Sequence, residues 1–110
     1  MADFLHIFIK PRKGISEEHV KEKMDLAVDW YKYSDNNWVV KTSSDIQTWF
    51  SRLKNFVEVV EDDKGNLMDG TLVILKIDPQ VRHGWVSKGF WTWLDKASGR
   101  IPSTPDDPDF

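Results

Sequence analysis

The chain has 110 residues, 40% of them apolar and 30% charged. That suffices for one hydrophobic core and leaves no room for a second. No apolar run approaches the ~18–20 residues of a membrane-spanning helix, and the opening MADFLHIFIKPRKG has no basic segment ahead of its apolar stretch, so it does not read as a secretory leader. Cysteine is absent, which excludes disulfides, thiolate metal sites and a cysteine nucleophile and points to a reducing, cytoplasmic setting. Fifteen basic residues face eighteen acidic ones, a net charge of −3. A dedicated duplex-binding domain carries a basic excess, because neutralising phosphates drives its affinity. A local basic patch is compatible with these numbers, whereas global attraction to nucleic acid is not. Six tryptophans are many for this length; they either stabilise a small core or stack on bases and line an interface.

The first strand is predicted at Phe4–Lys10, FLHIFIK, rich in β-branched and aromatic residues. Pro11 ends it, and Gly14 supplies the turn. Ser16 reads as an N-cap, with Glu17 and Glu18 in the first helical turn, where the helix dipole favours acids. Val20, Met24, Ala27, Val28 and Tyr31 then recur at helical spacing, which predicts a helix over about 16–30. Tyr31 and Tyr33 alternate with Lys32, Asp35-Asn36-Asn37 is a turn signal, and Trp38–Thr42 is again β-rich, so this stretch predicts a hairpin.

Ser44 and Gln47 fit a capping box before a second helix over about 45–57, whose stripe is Ile46, Trp49, Phe50, Leu53, Phe56 and Val57. The segment EVVEDDKGNLMDG is polar and reads as a surface loop. Thr71–Ile77 predicts a buried strand closed by Asp78-Pro79, and Ser87–Ala97 a short aromatic helix stopped by Gly99. The expected organisation is one domain over 1–98 and an acidic, proline-rich, extended or disordered tail over 99–110. Strand, helix, strand, strand, helix, strand is the order of a ferredoxin-like α+β fold: a four-stranded antiparallel sheet with two helices on one face. The other face must then be covered by a partner subunit or by the C-terminal aromatic helix.

The run DWYKYSDNNWVVKTSSDIQTWF, with Trp30-Tyr31, the hairpin and Trp38-Val39-Val40, resembles the SinR-like group of small bacterial proteins, and GWVSKGFWTWLDK with Gly84-Trp85, Trp91, Trp93 and Leu94 is a second similar stretch. That group is related to the ferredoxin-like CRISPR-associated subunit described both as an endonuclease and as a dimeric integration scaffold. The resemblance covers about residues 4–96 and implies the fold, a symmetric dimer, and a phage, mobile-element or defence setting. The nuclease-like relatives place a metal-binding aspartate at the end of the first strand; here Lys10 stands there. A protonated lysine offers no lone pair, and Mg²⁺ demands oxygen ligands. The implied reading is a scaffold without the metal-dependent activity.

Lys10, Arg12 and Lys13 cluster in the first strand-to-helix connection, beside Ser16 and the free N–H groups of the following helix, a place suited to phosphate or another anion. Glu17 and Glu18 oppose that use. Arg82 and His83 are the other candidate anion contacts; no nucleophile accompanies His83 in sequence. Asp62, Asp63, Asn66 and Asp69 lack the ligand alternation and distal glutamate of a calcium loop and read as a solvated turn. No glycine-rich phosphate loop, zinc spacing or nucleophile elbow occurs, so neither metal nor cofactor is expected. The tail residues Asp106, Asp107, Asp109 and Phe110 resemble the acidic, phenylalanine-ended tip of bacterial single-stranded-DNA-binding proteins and are a candidate partner-binding segment.

The function expected from these features is a non-catalytic homodimeric binding module for nucleic acid, a nucleotide or a protein. The rivals are a metal-dependent nuclease built on other carboxylates, such as Asp29 or Asp35, and a protein-binding adaptor or inhibitor.

Overall fold

The computed structural model describes residues 2–99. Its elements are β1 (Asp3–Lys10), α1 (Glu17–Met24), β2 (Asp29–Ser34), β3 (Asn37–Thr42), α2 (Ile46–Leu53), a 3-10 turn at Lys54–Phe56, β4 (Val60–Glu61), β5 (Leu67–Met68), β6 (Thr71–Ile77) and α3 (Lys88–Ser98). The architecture is α+β. One four-stranded sheet runs β2-β3-β1-β6, with every neighbouring pair antiparallel, and β4 and β5 form a separate small hairpin. No helix among the described residues is long and apolar enough to cross a membrane. The expected tail over 99–110 lies outside the described residues except for Gly99.

The sheet is apolar on both faces. Leu5, Ile7 and Ile9 of β1 alternate onto one face, where they meet Trp38 and Val40 of β3, Val20 and Met24 of α1, and Trp49 and Leu53 of α2. This is the larger core. Trp49 is fully buried, and its Nε1 donates to Thr42 Oγ1 at 2.9 Å, so its one polar atom is satisfied. On the other face Phe4 and Val39 pack with Phe90, Trp91 and Leu94 of α3, flanked by Tyr31, Tyr33 and Ile77. The C-terminal aromatic helix therefore covers the second face, in part.

Three local expectations are corrected. The first helix ends at Met24 instead of near residue 30. Val28 donates its N–H to Lys41 O at 2.8 Å and leads the chain into the sheet. Trp30 and Tyr31 then pair opposite Val40 and Val39. Cross-strand pairing of β-branched and aromatic residues here overrides a helical spacing they also satisfy. The second helix is capped by Asp45, whose carboxylate accepts Thr48 N–H at 2.8 Å. Ser44 instead donates its N–H to Thr42 Oγ1 at 3.0 Å. The segment expected as a plain loop contains the β4–β5 hairpin, because Asp62 Oδ1 accepts N–H bonds from Lys64 and Asn66, both at 2.8 Å, and folds the tip on itself.

Other details follow the sequence directly. The β2–β3 turn is Asp35-Asn36, with Asn36 in the left-handed region at φ 65°. Gly99 closes α3 at φ 74°. At the start of α1, Ser16 N–H donates to His19 Nδ1 at 3.2 Å, so a histidine supplies the back-bond a glutamate usually makes.

Two predictions follow from this packing. Trp49→Ala removes a fully buried indole and is expected to cost about 3–5 kcal/mol in urea unfolding. The backbone N–H of Thr48 holds Asp45 below the ordinary aspartate value of 3.8, and hydrogen bonds from Asn66 and Lys64 do the same for Asp62. Depressed acids stabilise the fold above their unfolded pKa and lose that contribution as pH falls through the folded value. Melting temperature is therefore expected to drop as pH falls from about 3.8 through the lower folded values, and Asp45→Asn to flatten part of the drop.

Candidate anion-binding turn and open sheet face

β1 ends at Lys10, which pairs opposite Thr71, the first residue of β6. The approach is tight: a Cβ on Gly70 would lie 2.2 Å from Lys10 O and 2.9 Å from Arg12 N. Only glycine fits there. The connection that follows is anchored from two sides. Arg12 N–H donates to Phe56 O at 2.8 Å, and the Arg12 guanidinium donates to Asn55 O. Ile15 N–H closes the turn on Arg12 O at 3.1 Å, with Gly14 at φ 96°.

The cations of this turn thus divide into two kinds. Arg12 is half-buried and holds the backbone in place. Lys10 and Lys13 are exposed, and no ion pair found among the described residues involves either. Glu17, which in sequence competes for the same place, turns toward Lys32 and forms an ion pair with it. Lys32 in turn lies over the Trp38 ring, 5.6 Å from its centroid. Glu18 stays exposed. The turn therefore presents two lysines held by a rigid frame at the mouth of α1.

Arg82 and His83 do not join it. The Arg82 side chain is 6% exposed and pairs with Asp95, itself 2% exposed, at 2.7 Å. Its guanidinium also stacks on Trp91 at 4.9 Å. This cation fastens the 78–87 connection to α3 and is not offered to an outside anion. His83 is exposed on that same connection. The buried pair escaped sequence reading, although a signal existed: Asp95 falls on the apolar face of α3, one turn from Trp91, and a carboxylate there demands a cation.

The carboxylates proposed for a nuclease do not converge either. Asp29 begins β2, where its Oδ2 accepts Trp93 Nε1–H at 3.0 Å and its Oδ1 accepts Trp30 N–H at 2.8 Å. Asp35 lies at the hairpin turn beyond the other end of β2, some ~20 Å away along the strand. Among the described residues no group of three or more acids or histidines could hold a metal ion. Asp106, Asp107, Asp109 and Phe110 lie outside the described residues.

α3 lies over the β2 side of its face, so the β6 side stays open. Val73 and Leu75 of β6 are 44% and 55% exposed. By register they flank Phe8 and His6 of β1. His6 Nε2 and the Tyr33 hydroxyl are hydrogen-bonded at 2.5 Å across this face. Burial lowers the histidine below its ordinary 6.5 and raises the tyrosine above 10.0. On the 78–87 connection Trp85 is 84% exposed.

No family model, no curated protein and no solved structure gives a significant match to this chain.

Three outcomes are expected. Gly70→Ala forces backbone apart at the turn and is expected to destabilise by about 1–3 kcal/mol in denaturant unfolding. Arg82→Met takes the cation from a buried carboxylate and is expected to cost about 3 kcal/mol or more. His6 is expected to titrate below 6.5 by NMR. Because the unfolded chain takes up that proton first, stability falls as pH drops from 6.5 through the folded value, and His6→Phe removes this component.

Proposed function

We propose that this protein is a non-catalytic, homodimeric binding module of ferredoxin-like architecture that holds the phosphates of a nucleic acid through the Lys10–Lys13 turn. The carrying observation is the pair of exposed lysines for which no ion-pair partner is found among the described residues, set by Arg12 and Gly70 beside the start of α1. Phosphate contacts of this kind position a ligand without reading its sequence. Two features support the ferredoxin-like assignment: the strand-helix-strand-strand-helix-strand order of the large sheet, and the interleaving that puts β3 between β1 and β2. Support for the dimer comes from the apolar open side at Val73 and Leu75. Kinship with the SinR-like group, its defence-related setting and a cytoplasmic location belong to the same proposal and rest on the aromatic pattern and the lack of cysteine. A protein-binding adaptor is the second reading, favoured by the exposed Val81 and Trp85 on a connection pinned from beneath by Arg82.

Fluorescence anisotropy with labelled single-stranded RNA and DNA tests the proposal. Lys10→Glu with Lys13→Glu is expected to abolish most binding, and Lys10→Gln with Lys13→Gln to lower the salt slope by about 2. Lys64→Glu, at the tip of the small hairpin, is expected to leave both unchanged. Binding that survives both double variants contradicts the site, and Mg²⁺-dependent cleavage of the oligonucleotide contradicts the non-catalytic assignment. Native mass measurement checks the dimer.

A further inference from the structure

The start of α1 and the β2–β3 hairpin enclose a cleft of about 210 Å³. Ile9, Pro11 and Val20 give it apolar walls, and Glu17, Lys32 and Asp35 line it with charge. Pro11 stands between Lys10 and Arg12 in the chain, so the cleft borders the lysine-bearing turn. Its volume is below the ~300–1,000 Å³ of pockets that enclose a whole drug-sized ligand. It suits one planar ring system, with the rest of a larger ligand left outside.

The polar groups of the cleft are held in place. Lys32 Nζ lies over the Trp38 ring, 5.6 Å from its centroid, and pairs with Glu17. The Lys32 side chain is 23% exposed. On the hairpin side, Ile9 N–H donates to Asn36 O at 2.9 Å and fixes that wall. An ammonium only donates hydrogen bonds and a carboxylate only accepts them. The Lys32–Glu17 pair therefore presents donors directly beside acceptors.

Guanine carries the complementary edge: its O6 acceptor adjoins two donors, the N1–H and the N2 amine. Laid against the pair, O6 accepts from Lys32 and both donors go to the Glu17 carboxylate. Adenine and cytosine place a ring-nitrogen acceptor beside a single amine, and uracil sets one donor between two acceptors. Each of these brings a lone pair against the carboxylate, which is costly in a partly desolvated site. Asp35 adds a further acceptor from the hairpin turn, suited to a sugar hydroxyl. A cationic occupant, such as an arginine side chain, is opposed by Lys32 within the cleft and by the lysines of the adjoining turn.

We propose that this cleft takes a guanine base, read by the Glu17–Lys32 pair, while the neighbouring phosphate lies on the Lys10–Lys13 turn. The inference rests on the phosphate-binding function proposed for that turn and adds the base it selects.

NMR titration of the full chain tests it, with guanosine and with the 5′-monophosphates of guanosine, inosine and adenosine as probes. Guanosine monophosphate is expected to move the amides of Ile9, Val20 and Asn36 and the indole of Trp38 saturably. Inosine monophosphate, which lacks only the N2 amine, is expected to bind about tenfold more weakly, and adenosine monophosphate to leave these signals still. Glu17→Gln, a change at a 60% exposed side chain, is expected to remove the guanine preference with little change in the urea midpoint. Lys10→Gln with Lys13→Gln is expected to weaken all three monophosphates alike and to keep their order. In the anisotropy assay, a uridine-tract RNA carrying one guanosine is expected to bind severalfold tighter than the plain tract and tighter than guanosine monophosphate. Equal shifts from the three monophosphates overturn the guanine assignment, and so does a preference that survives Glu17→Gln. Shifts confined to Lys10 and Lys13, with the cleft still, overturn it and leave the phosphate site standing. Guanosine that moves the cleft, when no monophosphate or RNA depends on Lys10 and Lys13, upholds the cleft and overturns the phosphate reading. Guanosine monophosphate that binds as tightly as the RNA upholds the base and overturns the nucleic-acid strand as its source.

Discussion

The structure depends on a central strand that is apolar in both directions. β1 is hydrogen-bonded on both edges, to β3 and to β6, and buries Leu5, Ile7 and Ile9 on one face and Phe4 on the other. Such a strand needs two covers. α1 and α2 provide one, closing around Trp49 and Leu53. Among the described residues the second comes only from α3, a single short helix that is fastened by polar contacts as well as by its aromatic side: Trp93 to Asp29, and Asp95 to Arg82. The direction of β1 also decides where the chain emerges. It places Lys10 at the sheet's end, beside the mouth of α1, and Gly70 allows the last strand to start hard against it.

Covering one face with a single helix leaves an asymmetry. The β2 side is covered and aromatic, with Tyr31, Tyr33 and Phe90 in tilted ring contacts. The β6 side keeps exposed branched residues and a free strand edge. Natural sheets rarely leave such an edge long and apolar without a use for it. The lysine-bearing turn and the open β6 side are continuous, meeting at the Lys10–Thr71 pair. One surface therefore combines exposed apolar side chains with the two lysines.

Much of the element order was legible from local pattern. β1, the hairpin with its Asp35-Asn36 turn, the stripe of α2 and the aromatic α3 all carry signals that the packing honours, because local preference and burial agree there. The end of the first helix was not legible. Val28 and Tyr31 continue the helical stripe of Val20, Met24 and Ala27 yet also suit a strand, and only pairing with β3 decides between them. The site was half legible. Clustering of Lys10, Arg12 and Lys13 in sequence marked the turn, but not the division of labour within it, since the Arg12 contact to Asn55 spans forty-three positions. Arg82 read as a surface cation because its partner is thirteen residues away on another element. Gly70 carried no sequence signal, as its requirement arises from backbone approaching backbone.

The central claim is that the ligand's negative charge meets the end of β1 and not the connection before α3. Mapping amide shifts during titration with a single-stranded RNA oligonucleotide tests it most directly. The account predicts saturable shifts centred on Lys10, Lys13 and Gly14 and extending to Thr71, with His83 and Trp85 still. Shifts centred on His83 and Trp85, with Lys10 and Lys13 unmoved, would contradict it.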